Sequence, residues 1–146
     1  DLGYDGVDHQ TKRRFLKVQG NPTLLKEMVR NLVDNAIHYT PSTEERMGVI
    51  TVRLLVDPYS QALAVQVEDN GPGIAAAERE RIFEPFYRAL GSNVDGSGLG
   101  LPIVLQIAQQ HGATVILEDA HPTRQPPGAK FTVRFPARKV EAQAAL

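Results

Sequence analysis

The sequence predicts an α+β two-layer sandwich built on a largely antiparallel sheet. Two observations carry that expectation. Strand-like apolar runs are separated by only a few helical segments, without the regular β-α-β alternation that a parallel sheet requires. The chain of 146 residues, 42% hydrophobic and 23% charged, is long enough for one core and short for two. Residues 1–136 are therefore expected to form one domain, and 137–146 (ARKVEAQAAL) a frayed, flexible tail.

The elements follow in order. Phe15 to Val18 is a short strand candidate closed by Gly20. Asn21-Pro22 supplies a helix cap followed by proline at the first helical position, and Leu24, Leu25, Met28, Val29, Leu32, Val33 and Ala36 recur at helical spacing to about His38. Thr40-Pro41 ends that helix. Val49 to Val56 and Leu63 to Asp69 read as strands joined through Asp57-Pro58-Tyr59-Ser60. A short helix near Ala75 to Phe83 follows, then a polar, glycine-containing loop from Ala89 to Ser97. A second long helix runs from about Leu99 to Gln110 and stops at His111-Gly112. Thr114 to Glu118 and Lys130 to Phe135 form a closing hairpin around the proline-rich loop Asp119 to Ala129.

Composition excludes several function classes. A net charge of −1 and the lack of a basic run disfavour nucleic-acid binding. The chain has no cysteine and four histidines, so neither a disulfide frame nor a thiolate zinc site is available, and the histidines lack metal-ligand spacing. No apolar stretch approaches the roughly 20 residues that span a bilayer, and no signal peptide is visible. The chain opens on Asp1 rather than methionine, which points to a piece of a longer protein.

Three constellations carry chemistry. On the first helix Asn31 and Asn35 lie roughly 40° apart at one edge of the apolar face, and Glu27 and His38 extend the stripe. Asparagine in a helix interior calls for a partner. Amide oxygens are hard, neutral ligands suited to Mg²⁺, although two amides that cap backbone groups or face water fit the same pattern. In VEDNGPGI, residues 67 to 74, Asp69 shares the strand phase of Leu63, Val65 and Val67 while Gln66 and Glu68 point the other way, so its carboxylate is aimed inward. A buried carboxylate needs donors, and the exocyclic amine of a base is a suitable one. Gly71 and Gly73 permit positive φ and close approach of a flat ligand; an ordinary Asp-Asn-Gly turn is the plainer alternative.

The third constellation is GSGLGLPIV, residues 96 to 104. Free backbone N–H groups and a partial charge of about +0.5 at a helix start favour phosphate, and Gly96, Gly98 and Gly100 let it approach. A flexible hinge or close helix packing would use the same glycines. No G-x-x-x-x-G-K-[ST] is present, nor a Rossmann glycine pattern after a strand, so phosphate charge falls to Mg²⁺, Arg88 and backbone. Between these clusters RIFEPFYR, residues 81 to 88, offers Phe83, Phe86 and Tyr87 as an apolar plug at the base of the following loop.

In order and spacing NLVDNAIHYTP, DNGPGI, RIFEPFYR and GSGLGL resemble the four signature boxes of the catalytic ATP-binding domain of bacterial sensor histidine kinases, within the wider superfamily of gyrase and mismatch-repair ATPases. The resemblance covers about residues 13 to 135. It implies an α/β sandwich in which a mixed, mostly antiparallel sheet is covered on one face by three helices. It also implies roles. Asn35 matches the Mg²⁺-ligating asparagine, with Asn31 beside it near the phosphates; His38 matches a basic position facing phosphate, and Tyr39 the aromatic packed on adenine. Asp69 matches the aspartate that reads the adenine amino group, with Gly71, Gly73 and Ile74 shaping the pocket. Arg88 reaches the terminal phosphate, and Gly96, Ser97, Gly98, Leu99, Gly100 and Leu101 lie along the phosphate chain, so Asn31 and Arg88 are the candidate catalytic residues. His38 stands where lysine or arginine is commoner.

The implied activity is transfer of the γ-phosphoryl group of ATP, as its Mg²⁺ complex, to a histidine on a separate dimerisation and phosphotransfer hairpin, then to an aspartate of a response regulator. None of His9, His38, His111 or His121 stands in an H-[ED]-x-x-[NT]-like acceptor context, so the acceptor is expected elsewhere in the parent chain. That parent is expected to be a membrane-bound homodimer with this domain on the cytoplasmic side. Two other functions compete: an ATP hydrolase of the same superfamily, which places a glutamate general base where Asn31 sits, and a nucleotide-sensing module without catalysis. A serine-kinase anti-sigma factor is a further relative, less consistent with RIFEPFYR.

Overall fold

The computed structural model describes residues 18–87 and 98–136. Helix α1 spans Pro22–Tyr39. It starts where expected because the side chain of Asn21 accepts from the backbone N–H of Thr23 (3.0 Å) and Leu24 (3.1 Å), and Pro22 has no N–H to leave unpaired. Met28, Leu32 and Ala36, one turn apart, form its buried face. The helix ends at Thr40, whose N–H reaches back to the carbonyl of Ile37 (3.4 Å), and Pro41 prevents continuation.

Four strands follow, β1 (Ile50–Val56), β2 (Leu63–Asp69), β3 (Thr114–Asp119) and β4 (Ala129–Arg134), in the spatial order β1-β2-β4-β3. Every pairing among the described residues is antiparallel. The β1–β2 turn is closed by Asp57, whose carboxylate accepts from Tyr59 N–H (2.8 Å) and Ser60 N–H (3.2 Å); these bonds hold its pKa below the ordinary value. Register aligns Val52, Val67, Phe131 and Leu117 across the sheet, and Leu54, Val65, Val133 and Val115 in the adjacent row. Apart from Leu54, which is exposed, these residues face the core beneath the helices. The opposite face is polar. There Arg53 pairs with Glu68 (2.9 Å), Lys130 with Glu118 (3.6 Å), and the Gln66 amide donates to the Thr132 hydroxyl (3.2 Å).

The covering layer consists of α1, α2 (Gly100–Gln110) and two 3₁₀ turns, Ala76–Glu78 and Arg81–Phe83. The expected single short helix is thus two turns. The carbonyl of Ile74, which an α turn would offer to Glu78, instead accepts from Arg79 Nε (3.1 Å). Arg79 also pairs with Asp119 at 2.8 Å, tying this segment to the end of β3. Phe83 meets Phe131 edge-on, with ring centroids 6.2 Å apart. Helix α2 buries Leu101, Val104, Ile107 and Ala108.

His111 joins the two helices. Its Nε2 accepts from the backbone N–H of Asn21 (3.1 Å), so Nδ1 carries the proton and donates to the Ile107 carbonyl (2.7 Å). A side chain at Gly20 would collide with the His111 ring. Of the strand expected at Phe15 to Val18, residues 15–17 lie outside the described residues; Val18 is not in a strand and packs on the core. Residues 137–146, the expected tail, also lie outside. Among the described residues no helix is long and apolar enough to cross a membrane.

Phe131 is 1% exposed, at the centre of the sheet and under Phe83. Phe131→Ala is expected to cost about 3–5 kcal/mol, read as a lower midpoint in chemical denaturation; a loss below 1 kcal/mol would contradict this packing.

Candidate nucleotide site

The site is assembled where the end of α1, the β2 terminus and the start of α2 meet. Asp69, the last residue of β2, lies in the inward phase and is 5% exposed. Its Oδ1 accepts two backbone hydrogen bonds, from Gly71 N–H (2.9 Å) and Ala129 N–H (3.1 Å). Burial pushes the carboxyl above the ordinary carboxylate value; the two backbone N–H groups and the neighbouring Thr40 hydroxyl act in the opposite direction, and the Glu68 carboxylate adds to the rise.

Asp69 is held by a segment that sequence reasoning missed. The Gly128 N–H donates to the Gly71 carbonyl (3.0 Å), which brings the proline-rich loop against DNGPG and delivers the Ala129 N–H. Gly128 has φ +68°, and a Cβ there would overlap the Asp69 carbonyl oxygen. The available signal was a glycine directly ahead of a strand, in PPGAKF, which reads as a close backbone approach. Gly73 has φ +78° as expected, and Pro127 lies against it. Gly71 does not have positive φ. Its lack of a side chain serves crowding by protein atoms: a Cβ would lie 2.7 Å from the Tyr39 carbonyl oxygen, 2.9 Å from Thr40 Oγ1 and 3.1 Å from Asp69 Oδ1.

On α1, Asn31 and Asn35 are half-buried, as a stripe at the edge of the apolar face requires. The Asn31 amide nitrogen is buried without a hydrogen-bond partner. Its oxygen lies 3.4 Å from where a Cβ on Gly100 would stand, so Asn31 faces the first residue of α2. The Asn35 amide makes no hydrogen bond among the described residues. His38 is exposed, and its Nδ1 lies 2.6 Å from the Asp34 carbonyl, an arrangement in which Nδ1–H donates and Nε2 points away from the helix backbone. Tyr39 is half-buried.

At the start of α2, Gly98 has φ +70° and packs on the backbone of Phe86, whose N–H donates to the Gly98 carbonyl (2.9 Å). The glycine freedom here therefore serves the junction with the RIFEPFYR segment. Leu99 caps the helix without a side-chain bond, and Gly100 opens it. Leu101 has its side chain in the core, so only its backbone is available to a ligand. Arg88, Gly96 and Ser97 lie outside the described residues. The plug is Phe83, Tyr87 and Ile82. Phe86 is a correction: it is 71% exposed at φ +65°, turned outward by its bond to Gly98.

The donor set fits a nucleotide and its cation. Among the described residues no group of three or more His, Asp or Glu could hold a metal by itself, so neutral amides supplemented by ligand phosphate are the available chemistry. Asp69→Asn can keep both backbone bonds while removing a buried charge. Because burial raises the folded-state pKa, ionised Asp69 costs stability above that pKa and the cost vanishes as pH falls toward the unfolded value of 3.8. The ligand-free Asn variant is expected to melt higher than the parent chain at pH 7, with the gap closing as pH falls toward 3.8; thermal melts across that range check it.

The histidine kinase-, DNA gyrase B- and HSP90-like ATPase family matches residues 20–139. The signal transduction histidine-protein kinase/phosphatase MprB of Mycobacterium sp. (strain KMS) is 42% identical over 124 residues, covering 84% of this chain and 23% of that protein. The chain thus spans about a quarter of the length of this curated relative. Among solved structures, the mycobacterial sensor histidine kinase MprB superposes with a TM-score of 0.75 at 35% identity, covering 83% of this chain and 77% of the other. The catalytic domain of histidine kinase ThkA gives 0.66 at 31% identity, over 84% and 73%. With the family model spanning most of the chain and identity above 40%, this chain belongs to the histidine kinase-, DNA gyrase B- and HSP90-like ATPase family, as a histidine kinase ATP-binding catalytic domain.

Proposed function

We propose that this domain binds Mg²⁺-ATP between α1 and the start of α2 and presents the γ-phosphoryl group to a histidine on a separate helical-hairpin domain. The observation that carries the reading is the buried, unpartnered amide of Asn31 facing Gly100, with the free amide of Asn35 one turn on. In a folded protein a buried amide without a partner marks a place where a ligand completes the hydrogen bonding.

The roles follow from the chemistry of each group. Asp69 Oδ2 accepts from the exocyclic amine of adenine, Tyr39 packs on the ring, and Gly71, Gly73 and Ile74 form the pocket around it. Backbone N–H groups at Leu99, Gly100 and Leu101 meet the phosphates at a helix start, together with Gly96 and Ser97, and His38 contributes Nε2. Asn35 would hold the Mg²⁺ through its amide oxygen; the bound ion supplies neutralisation of phosphate charge. Arg88 is assigned to the terminal phosphate. In the transfer, an imidazole nitrogen forms a P–N bond as the bond from the γ-phosphorus to the β,γ-bridging oxygen breaks, and ADP leaves. Positioning and charge stabilisation supply the acceleration.

Asn31 argues against hydrolysis. An amide cannot take a proton from water, and Glu27, one turn earlier and exposed, is a full helical turn from the position a base would need. The phosphate is relayed onward to a response-regulator aspartate, and the parent protein is a membrane-bound homodimer that carries this domain on its cytoplasmic side.

Asn35→Ala is expected to abolish Mg²⁺-dependent ATP binding; calorimetry returning the parent affinity would reject the metal assignment. With labelled ATP, the domain alone should release phosphate very slowly, and adding the histidine-bearing hairpin of its parent should give an acid-labile phosphohistidine. Brisk phosphate release with no phosphohistidine would favour the hydrolase instead.

A further inference from the structure

Arg79 caps the first 3₁₀ turn and divides its guanidinium between two partners. Nε donates to the Ile74 carbonyl (3.1 Å) and Nη2 to Asp119 Oδ1 (2.8 Å). The Arg79 and Asp119 side chains are 29% and 32% exposed, so the pair escapes much of the solvent screening that makes surface ion pairs weak. One planar fork thus joins two segments far apart in sequence.

The two ends of this bridge differ in how firmly they are held. Asp119 is the last residue of β3 and stands opposite Ala129 in the β3–β4 register. Ala129 in turn donates its N–H to Asp69 Oδ1 (3.1 Å), and β4 is laddered to β2 as far as Glu68 and Lys130. Asp119 and Asp69 therefore belong to one end of the same sheet. Ile74 does not. It follows Asn70-Gly71-Pro72-Gly73, in which Gly73 has φ +78°, and a path with two glycines is set by its contacts rather than by its own stiffness. The Gly128 N–H fixes that path at the Gly71 carbonyl (3.0 Å). Arg79 fixes it at Ile74, and so sets how far the Ile74 wall stands from the carboxylate.

We propose that Arg79 is a positioning residue for nucleotide selection: by tying the Ile74 carbonyl to Asp119 it holds the pocket wall at the spacing at which a base's amine meets Asp69. This rests on the nucleotide reading above and adds a residue that touches no ligand. Loss of the bridge widens the pocket, the base settles in more than one orientation, and the amine loses its alignment with the carboxylate.

The test compares ATP with purine riboside triphosphate, which lacks the exocyclic amine, by calorimetry on the whole chain. A hydrogen bond to a carboxylate is worth about ten- to a hundredfold in affinity, so the parent chain should prefer ATP by about that factor. Arg79→Leu, which keeps bulk and removes both donors, should cut the preference about fivefold. Asp119→Ala should cut it similarly, and the double variant should fall no further than either single one. A merely structural arginine would lower the melting temperature or both affinities together and leave their ratio unchanged, which would overturn the assignment. If Arg79→Leu does not melt cooperatively, Arg79→Lys takes its place, since a single ammonium cannot reproduce the fork. Equal affinities in the parent chain would also overturn the proposal, because no amine would then be selected. Failure of the parent chain to bind ATP at all would instead overturn the nucleotide reading, and this proposal with it.

Discussion

The site depends on one carboxylate oxygen. Asp69 Oδ1 is saturated by two backbone N–H groups from chain segments far apart in sequence, Gly71 and Ala129. A carboxylate this buried is tolerable only with such donors. Both donors arrive through close backbone contacts: the Gly128 N–H to the Gly71 carbonyl, and Gly128 against the Asp69 carbonyl itself. The two glycines are therefore required by the satisfaction of Asp69 rather than by loop flexibility. Because Oδ1 is taken by two backbone donors, Oδ2 is the oxygen left for any further donor.

Polar satisfaction elsewhere sharpens the point. Among the described residues the buried side-chain nitrogen and oxygen atoms without partners are two, the Asn31 amide nitrogen and the Thr40 hydroxyl. Even Glu68, buried on the outer sheet face, is answered by Arg53 at 2.9 Å. Native proteins leave few buried polar groups unpaired, and departures from local consistency concentrate at functional sites. Here both departures belong to one helix and its cap, beside the carboxylate and the start of α2. The core is closed in hydrogen-bond terms and the site is open in the same terms.

Much of this was legible in the sequence. Asn21-Pro22 marks the first residue of α1, β2 runs Leu63–Asp69 as its alternation indicates, and the inward phase of Asp69 follows from period two alone. Local patterns failed where a partner is distant. Nothing near Gly71 reveals that Tyr39 and Thr40 crowd it, nothing near Gly128 reveals that it abuts Asp69, and Phe86 looks like a core aromatic until Gly98 claims its N–H. The 3₁₀ turns escaped for the same reason, since Arg79 diverts a carbonyl through its side chain. In each case the missing information is a contact between segments, which periodicity does not encode.

The remaining question is why an open polar stripe survives on a core-packing helix. Helices α1 and α2 run antiparallel: His111, just past the end of α2, binds Asn21 at the start of α1, while Gly100, at the start of α2, faces Asn31. With 18 residues in α1 and 11 in α2, the last two turns of α1 extend beyond the point where α2 begins. That overhang spans about 12 Å at 1.5 Å per residue, and it carries Asn35, His38 and Tyr39. Extending α2 toward its N-terminus would cover it, but Gly98 at φ +70° breaks the helix and its carbonyl is bonded to Phe86. The break is thus as much a part of the site as the amides are: it keeps one helix short and leaves the polar edge of the other uncovered by it.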